Sequence, residues 1–146
     1  MILKYNANNK KIAFLPRHGL NHTISPTNIN YRANIDVLKQ LDVKNIISIS
    51  AVGSLREDYK PGEFVLVDQY IDNTKKRIST FFEDDIVAHV EFSKPICSNL
   101  TQISKRVLRK LEIPFHASGK YICIEGPQFS TLGESQLFRS WGCDVI

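Results

Sequence analysis

Asn45-Ile46-Ile47-Ser48-Ile49-Ser50, running into Ala51-Val52-Gly53-Ser54, is the stretch on which the fold turns. Within it Ile46-Ile47-Ser48-Ile49 is apolar almost throughout, without the alternation of a half-buried strand. That composition predicts a strand covered on both faces. Such strands belong to sheets with helices packed against them, so helical patterns are expected on either side in the chain. Upstream, Ile29, Ala33, Val37, Leu38 and Leu41 fall at i, i+4, i+8, i+9 and i+12, the apolar face of a helix over 28–41. Ser25-Pro26-Thr27-Asn28 supplies breaker and cap chemistry before it. Downstream, Leu100, Ile103, Val107, Leu108 and Leu111 predict the buried stripe of a second helix over 99–111, stopped by Pro114. A third is expected from Thr131, which has capping-box spacing to Glu134, and carries Leu132, Phe138 and Trp141 before Gly142. Lys11–Leu15, Glu63–Gln69 and Lys120–Glu125 read as further strands, and Asp144-Val145-Ile146 opens another. The expectation is an α/β fold with a central mixed sheet flanked by helices.

The 146 residues, 42% hydrophobic and 23% charged, suit one globular domain or part of one. The longest apolar stretch, Ile46 to Val52, reaches about a third of the ~20 residues a membrane-spanning helix needs. Met1 to Lys11 shows no apolar signal core, so a cytoplasmic location is expected, with no membrane partner. Cys97, Cys123 and Cys143 are odd in number and lack Cys-x-x-Cys or finger spacing, which predicts reduced thiols and no metal site. The net charge is +4, and Lys105, Arg106, Arg109 and Lys110 cluster late in the second helix. No aromatic residues are interleaved there, which argues against nucleic acid; a small anionic substrate suits a basic protein equally well. Glu83-Asp84-Asp85 is expected to be an exposed turn.

Three strand ends carry unusual residues, and open α/β sheets bind ligands at such ends. Pro16-Arg17-His18-Gly19 offers a guanidinium fork and an imidazole beside a glycine, a donor set suited to phosphate. Ser50-Ala51-Val52-Gly53-Ser54 can turn main-chain N–H groups and a hydroxyl toward an anion. Glu125-Gly126-Pro127-Gln128-Phe129-Ser130-Thr131 fixes a turn that leaves Phe129 free to stack on a planar ligand. Each has a plainer reading: a surface loop, a tight turn, a core phenylalanine. There is no Walker pattern, no Gly-x-Gly-x-x-Gly, no spacing that suggests an activated nucleophile and no metal motif. The positive content is a site where inorganic phosphate and a flat base meet.

Phe14-Leu15-Pro16-Arg17-His18-Gly19, His22-Thr23-Ile24 and Asn30-Tyr31-Arg32-Ala33-Asn34-Ile35 resemble the S-methyl-5'-thioadenosine phosphorylases, in the trimeric branch of the purine nucleoside phosphorylase superfamily. Ser50 to Arg56, Pro61-Gly62-Glu63, Asp68 to Asp72, Ala88-His89-Val90, Ile124 to Thr131 and Arg139-Ser140-Trp141-Gly142 continue the similarity in order. The resemblance implies that Arg17, His18, Ser50 and Ala51 hold phosphate and that Phe129 packs on purine and ribose. Ser130, where 6-oxopurine enzymes carry glutamate, implies a 6-aminopurine. His89 would line the methylthio pocket of a neighbouring subunit, its plainer reading being a buried structural histidine. The implied enzyme is a pentosyltransferase of purine and methionine salvage, a homotrimer or hexamer with no cofactor and no metal. It converts S-methyl-5'-thioadenosine and inorganic phosphate to adenine and 5-methylthioribose 1-phosphate.

The sequence departs from that pattern in three places. Leu132-Gly133 stands for the usual Arg-Ala, nothing before Lys11 resembles the family's glycine-rich phosphate loop, and the Asn-Met-Thr and purine-binding aspartates expected after Ile146 are absent. Residues 1–146 are therefore expected to be a partial, incomplete nucleoside phosphorylase domain, inactive alone. No catalytic acid is assigned. The alternatives are a 6-oxopurine nucleoside phosphorylase and a non-catalytic remnant of the family.

Overall fold

The structure, a computed structural model, describes residues 2–7, 10–83 and 85–146. Asp84, within the acidic run expected to be a turn, lies outside them. The order is β1 (Leu3–Ala7), β2 (Lys10–Phe14), a 3-10 turn (Pro26–Asn28), α1 (Tyr31–Gln40), β3 (Phe64–Val65), β4 (Gln69–Asn73), α2 (Ser98–Lys110), β5 (Phe115–His116), β6 (Lys120–Ile124) and α3 (Leu132–Ser140). The strands pair as β1-β2, antiparallel, and β3-β5 and β4-β6, both parallel. The α/β class read from the sequence holds, and both strand senses are present. The sheet is seen as three pairs.

The chain forms two compact units. One comprises Met1–Ile49, Lys75–Ala88 and Glu125–Pro127; the other comprises Ser50–Thr74, His89–Ile124 and Gln128–Ile146. In the first, Leu3 faces Phe14 and Tyr5 faces Ile12 across β1 and β2. Ser25-Pro26-Thr27-Asn28 does not cap α1. It forms the separate 3-10 turn, where Ser25 makes no side-chain cap bond, and Asn30 caps the helix by accepting the Ala33 N–H at 3.0 Å. The proline suits the first position of the short turn, so the α-helix starts later than its apolar spacing suggests.

In the second unit β4 and β6 pair in parallel over five residues each, with Ile71 beside Ile122. Ile122 is fully buried and clusters with Leu55, Phe138 of α3 and Cys143; Ile71, Ile124 and Ile146 pack around them. Of the expected strand Glu63–Gln69 only Phe64–Val65 forms β3, which pairs with β5, while Gln69 opens β4, which runs on to Asn73 and pairs with β6. Gly119 sits at the change of partner: a Cβ there would lie 2.5 Å from Val65 Cγ1. Val145 bridges both Ser54 and Tyr121, as the opening of a strand at Asp144 predicts.

The capping box of α3 forms as read: Glu134 N–H donates to Thr131 Oγ1 at 3.2 Å and Thr131 N–H to Glu134 Oε2 at 2.7 Å. All three helices end on the same pair of backbone bonds. Val43 N–H reaches Leu38 O while Asp42 N–H reaches Lys39 O, and the same pattern recurs at Ile113/Glu112 and Cys143/Gly142. The residue after each C-cap is left-handed: Asp42 at φ 56°, Glu112 at 54° and Gly142 at 71°. Only the third is the glycine that this geometry favours.

Two expectations fail on burial. Residues 43–50 join no strand among the described residues, and Ile46, Ile47 and Ile49 are 53%, 69% and 72% exposed. A run of β-branched residues becomes an inner strand only when ladders form on both its edges, and here none forms. In α2 only Leu108 of the expected stripe is buried; Ile103, Val107 and Leu111 are exposed. Leu132 of α3 is exposed as well.

Replacing Gly142 by alanine is expected to cost about 1 kcal/mol, and Glu112→Gly to stabilise by up to about that much, because an L side chain is strained in the left-handed region. Urea unfolding of the two variants would check the opposite signs. Gly119→Ala should destabilise the β3–β5 edge, since the new Cβ meets Val65 with no room; a melting temperature equal to that of the parent chain would contradict this.

Candidate functional site

β2 ends at Phe14 and the chain turns sharply through Pro16-Arg17-His18-Gly19. Gly19 N–H donates to Pro16 O at 2.9 Å, Ile24 N–H to His18 O at 3.0 Å, and Gly19 takes φ 80°. This turn holds both candidate phosphate ligands of the first unit. Arg17 Nη1 donates to the Ile49 carbonyl at 3.3 Å, on the peptide that joins Ile49 to Ser50. His18 Nδ1 lies 2.8 Å from the Ile24 carbonyl. A carbonyl only accepts, so Nδ1 carries the hydrogen and Nε2 is the nitrogen turned to other partners, an acceptor when neutral and a donor when protonated. The His18 ring stacks on His22, centroids 4.6 Å apart.

Ser50 and Ala51 open the second unit and are exposed. Two residues on, Gly53 exchanges both backbone bonds with Ile146, at 2.8 and 2.9 Å, and Leu55 N–H donates to Asp144 O at 2.9 Å. The small-residue bend is thus tied down on its C-terminal side by the segment that follows α3.

The third strand end combines a local and a non-local device. Beyond β6, Gly126 takes φ 70° and the Gly126–Pro127 peptide is cis. Phe129 follows and is 94% exposed, so the core-phenylalanine reading is excluded. Ser130 Oγ lies 2.8 Å from Ser135 Oγ, which ties the residue after the ring to the first turns of α3. His89 lies in an exposed, irregular stretch, contrary to its reading as a buried structural histidine. Arg17 and His18 therefore share one turn, Phe129 and Ser130 share one loop, and His89 stands apart in sequence from both.

Glu125 is the residue that sequence reasoning left without a role. Its carboxylate accepts the backbone N–H groups of Lys75 at 2.6 Å and Lys76 at 3.0 Å, and Arg77 Nε lies 3.9 Å from it. The Arg77 guanidinium in turn sits 4.7 Å over the Tyr31 ring. Those accepted N–H bonds, and next the Arg77 charge, hold the Glu125 carboxyl below its ordinary value. No local signal could have found this, since the partners are main-chain groups some fifty residues away. Among the described residues no group of three His, Cys, Asp or Glu is placed to hold a metal ion, and no helix is long and apolar enough to cross a membrane.

The chain is thus an α/β protein that carries Arg17 and His18 on one turn and an exposed aromatic ring, Phe129, on another loop. The chain matches the family described as the phosphorylase superfamily over residues 2–146, and it belongs to that family. It is 56% identical over 137 residues to the S-methyl-5'-thioadenosine phosphorylase of Thermofilum pendens, covering 94% of this chain and 52% of that protein. A methylthioadenosine phosphorylase from an antarctic soil metagenomic library superposes with TM-score 0.97 at 47% identity, covering 99% of this chain and 52% of the other. A methylthioadenosine phosphorylase from Schistosoma mansoni in complex with adenine gives TM-score 0.93 at 32% identity, with coverages of 99% and 60%. The chain spans about half the length of the curated relatives it matches.

A carboxylate with a depressed pKa contributes stability that is present above its unfolded value, 4.5 for Glu125, and lost as pH falls through the lower folded value. Glu125→Gln is therefore expected to lower stability near neutrality and to flatten its decline as pH falls through 4.5 and below. Denaturant unfolding across that range measures it; identical acid limbs for parent and variant would contradict the expectation.

Proposed function

We infer that residues 1–146 are part of one nucleoside phosphorylase domain, and that the whole enzyme phosphorolyses S-methyl-5'-thioadenosine to adenine and 5-methylthioribose 1-phosphate. The observation that carries this reading is the Arg17–His18 turn, with its guanidinium braced on the carbonyl next to Ser50. Arg17 supplies charge-assisted donors to phosphate, His18 Nε2 adds another in the protonated ring, and Ser50 and Ala51 contribute a hydroxyl and backbone N–H groups. Phe129 gives purine and ribose an apolar face. Ser130, a small neutral hydroxyl where glutamate would read an oxopurine edge, favours a 6-aminopurine.

The bond between the anomeric carbon and the purine nitrogen breaks and its electron pair goes to the base, which takes a proton. Positive charge grows on the ribose, the phosphate below it offsets that charge, and a phosphate oxygen then bonds to the anomeric carbon. The residues of this chain act by positioning and by preorganised electrostatics. The proton donor is assigned to none of them. The complete enzyme is a cytoplasmic homotrimer or hexamer of purine and methionine salvage in which His89 reaches the methylthio group bound by a neighbouring subunit.

The test is a chimera in which residues 1–146 replace the matching half of the Thermofilum pendens enzyme, assayed against methylthioadenosine and inosine. Methylthioadenosine should be preferred by at least about tenfold in kcat/KM, a difference of about 1.4 kcal/mol. A comparable preference for inosine would establish the 6-oxopurine alternative instead. Arg17→Ala in the chimera should cost about 100-fold or more in kcat/KM through lost transition-state charge stabilisation. Phe129→Ala should act mainly on KM. Residues 1–146 alone should release no adenine; phosphate-dependent release at ordinary enzyme rates would overturn that expectation.

A further inference from the structure

We propose that the hollow at the start of α1 binds a phosphate monoester, using none of the residues assigned above to phosphorolysis. It encloses about 300 Å³, the lower end of the range for small-molecule sites and more room than inorganic phosphate needs. Arg32, Lys76 and Arg77 all line it, together with Thr27, Asn28 and Tyr31, and no carboxylate does. Every lining residue lies within the first unit.

The nearby acids do not cancel this charge; they orient it. Glu83 Oε1 holds Arg32 Nη1 at 2.8 Å. Glu125 lies 3.9 Å from Arg77 Nε and receives the Lys75 and Lys76 amides, which sets the backbone that carries Lys76 and Arg77. Among the described residues two carboxylates thus pair with the three cations on the wall. Tyr31 donates its hydroxyl to Pro26 O at 3.1 Å, and its ring, so fixed, carries the Arg77 guanidinium 4.7 Å above it. A guanidinium held over the ring in this way is preorganised for phosphate oxygens, and Lys76 adds a second point charge. Gathering three cations around a solvent-filled hollow is unfavourable unless an anion offsets their repulsion. Thr27 and Asn28 add neutral polar groups beside the charged ones, as suits the hydroxyls of a sugar phosphate.

The probe is ribose 5-phosphate, titrated calorimetrically into the 146-residue chain, with ribose and inorganic phosphate run in parallel. Saturable binding is expected for ribose 5-phosphate, weaker for inorganic phosphate and absent for ribose, with affinity falling as salt rises. Lys76→Ala, at an exposed position, should weaken binding several-fold, and Lys76→Ala with Arg32→Gln at least tenfold. Arg17→Ala and His18→Ala should leave it unchanged, which keeps this site's failure distinct from that of the phosphorolysis site. The proposal is overturned if no saturable binding occurs, if inorganic phosphate binds the Arg17→Ala variant as tightly as the ester does, or if Arg17→Ala abolishes ester binding that Lys76→Ala leaves intact. Circular dichroism of the Lys76→Ala variant, whose substitution removes no packed group, guards against a loss caused by unfolding.

Discussion

Parallel pairing of β4 with β6 is the constraint on which the second unit depends. It places Ile71 beside Ile122 and gives Ile122 a fully buried position against Leu55, Phe138 and Cys143. Parallel strands cannot be joined by a tight turn, so the 46 residues from Thr74 to Gly119 must leave and return between them. That excursion contains α2 and the stretch carrying His89. The same pairing sets the direction in which β6 runs to its end at Ile124.

Polar groups at the ends of these elements do the positioning. Arg17 reaches the Ile49 carbonyl, His18 reaches Ile24, and Glu125 gathers two backbone amides. Each bond commits one side of a side chain to the scaffold. For His18 this means that Nδ1 serves the fold while Nε2 can serve a ligand. Phe129 is the complement of these polar groups: a large apolar ring presented to solvent by a capped helix and a proline turn. Such exposure has an energetic cost of about 1.5–3 kcal/mol relative to burial.

Local patterns in the chain were legible where their partners are near in sequence. Thr131 and Glu134 form the reciprocal box that their spacing requires, and α1 and α2 lie within a few residues of where their apolar periodicity puts them. The motif at 16–19 sits in a turn and that at 125–131 around a bend, whereas 50–54 is irregular up to the bridge at Ser54. Burial was less legible. Apolar periodicity says which face of α2 is meant to be covered, but only packed neighbours cover it, and Ile103, Val107 and Leu111 have too few. Likewise Asp42 and Glu112 close their helices in a conformation usually left to glycine, because the 6→1 and 5→2 bonds outweigh the strain of the side chain.

The sequence by itself determined the α/β class, the three helices and the family, because those follow from short-range spacing and from ordered motifs that need no contacts to be recognised. Tertiary structure alone decided that Glu125 binds the 75–77 segment, that Arg77 lies over Tyr31, that Gly119 marks the change of strand partner, and that Ile46, Ile47 and Ile49 have no ladder among the described residues. The reason is the same in each case. A hydrogen bond or a buried face exists only when a second segment arrives, and no residue pattern within the first segment records which one will.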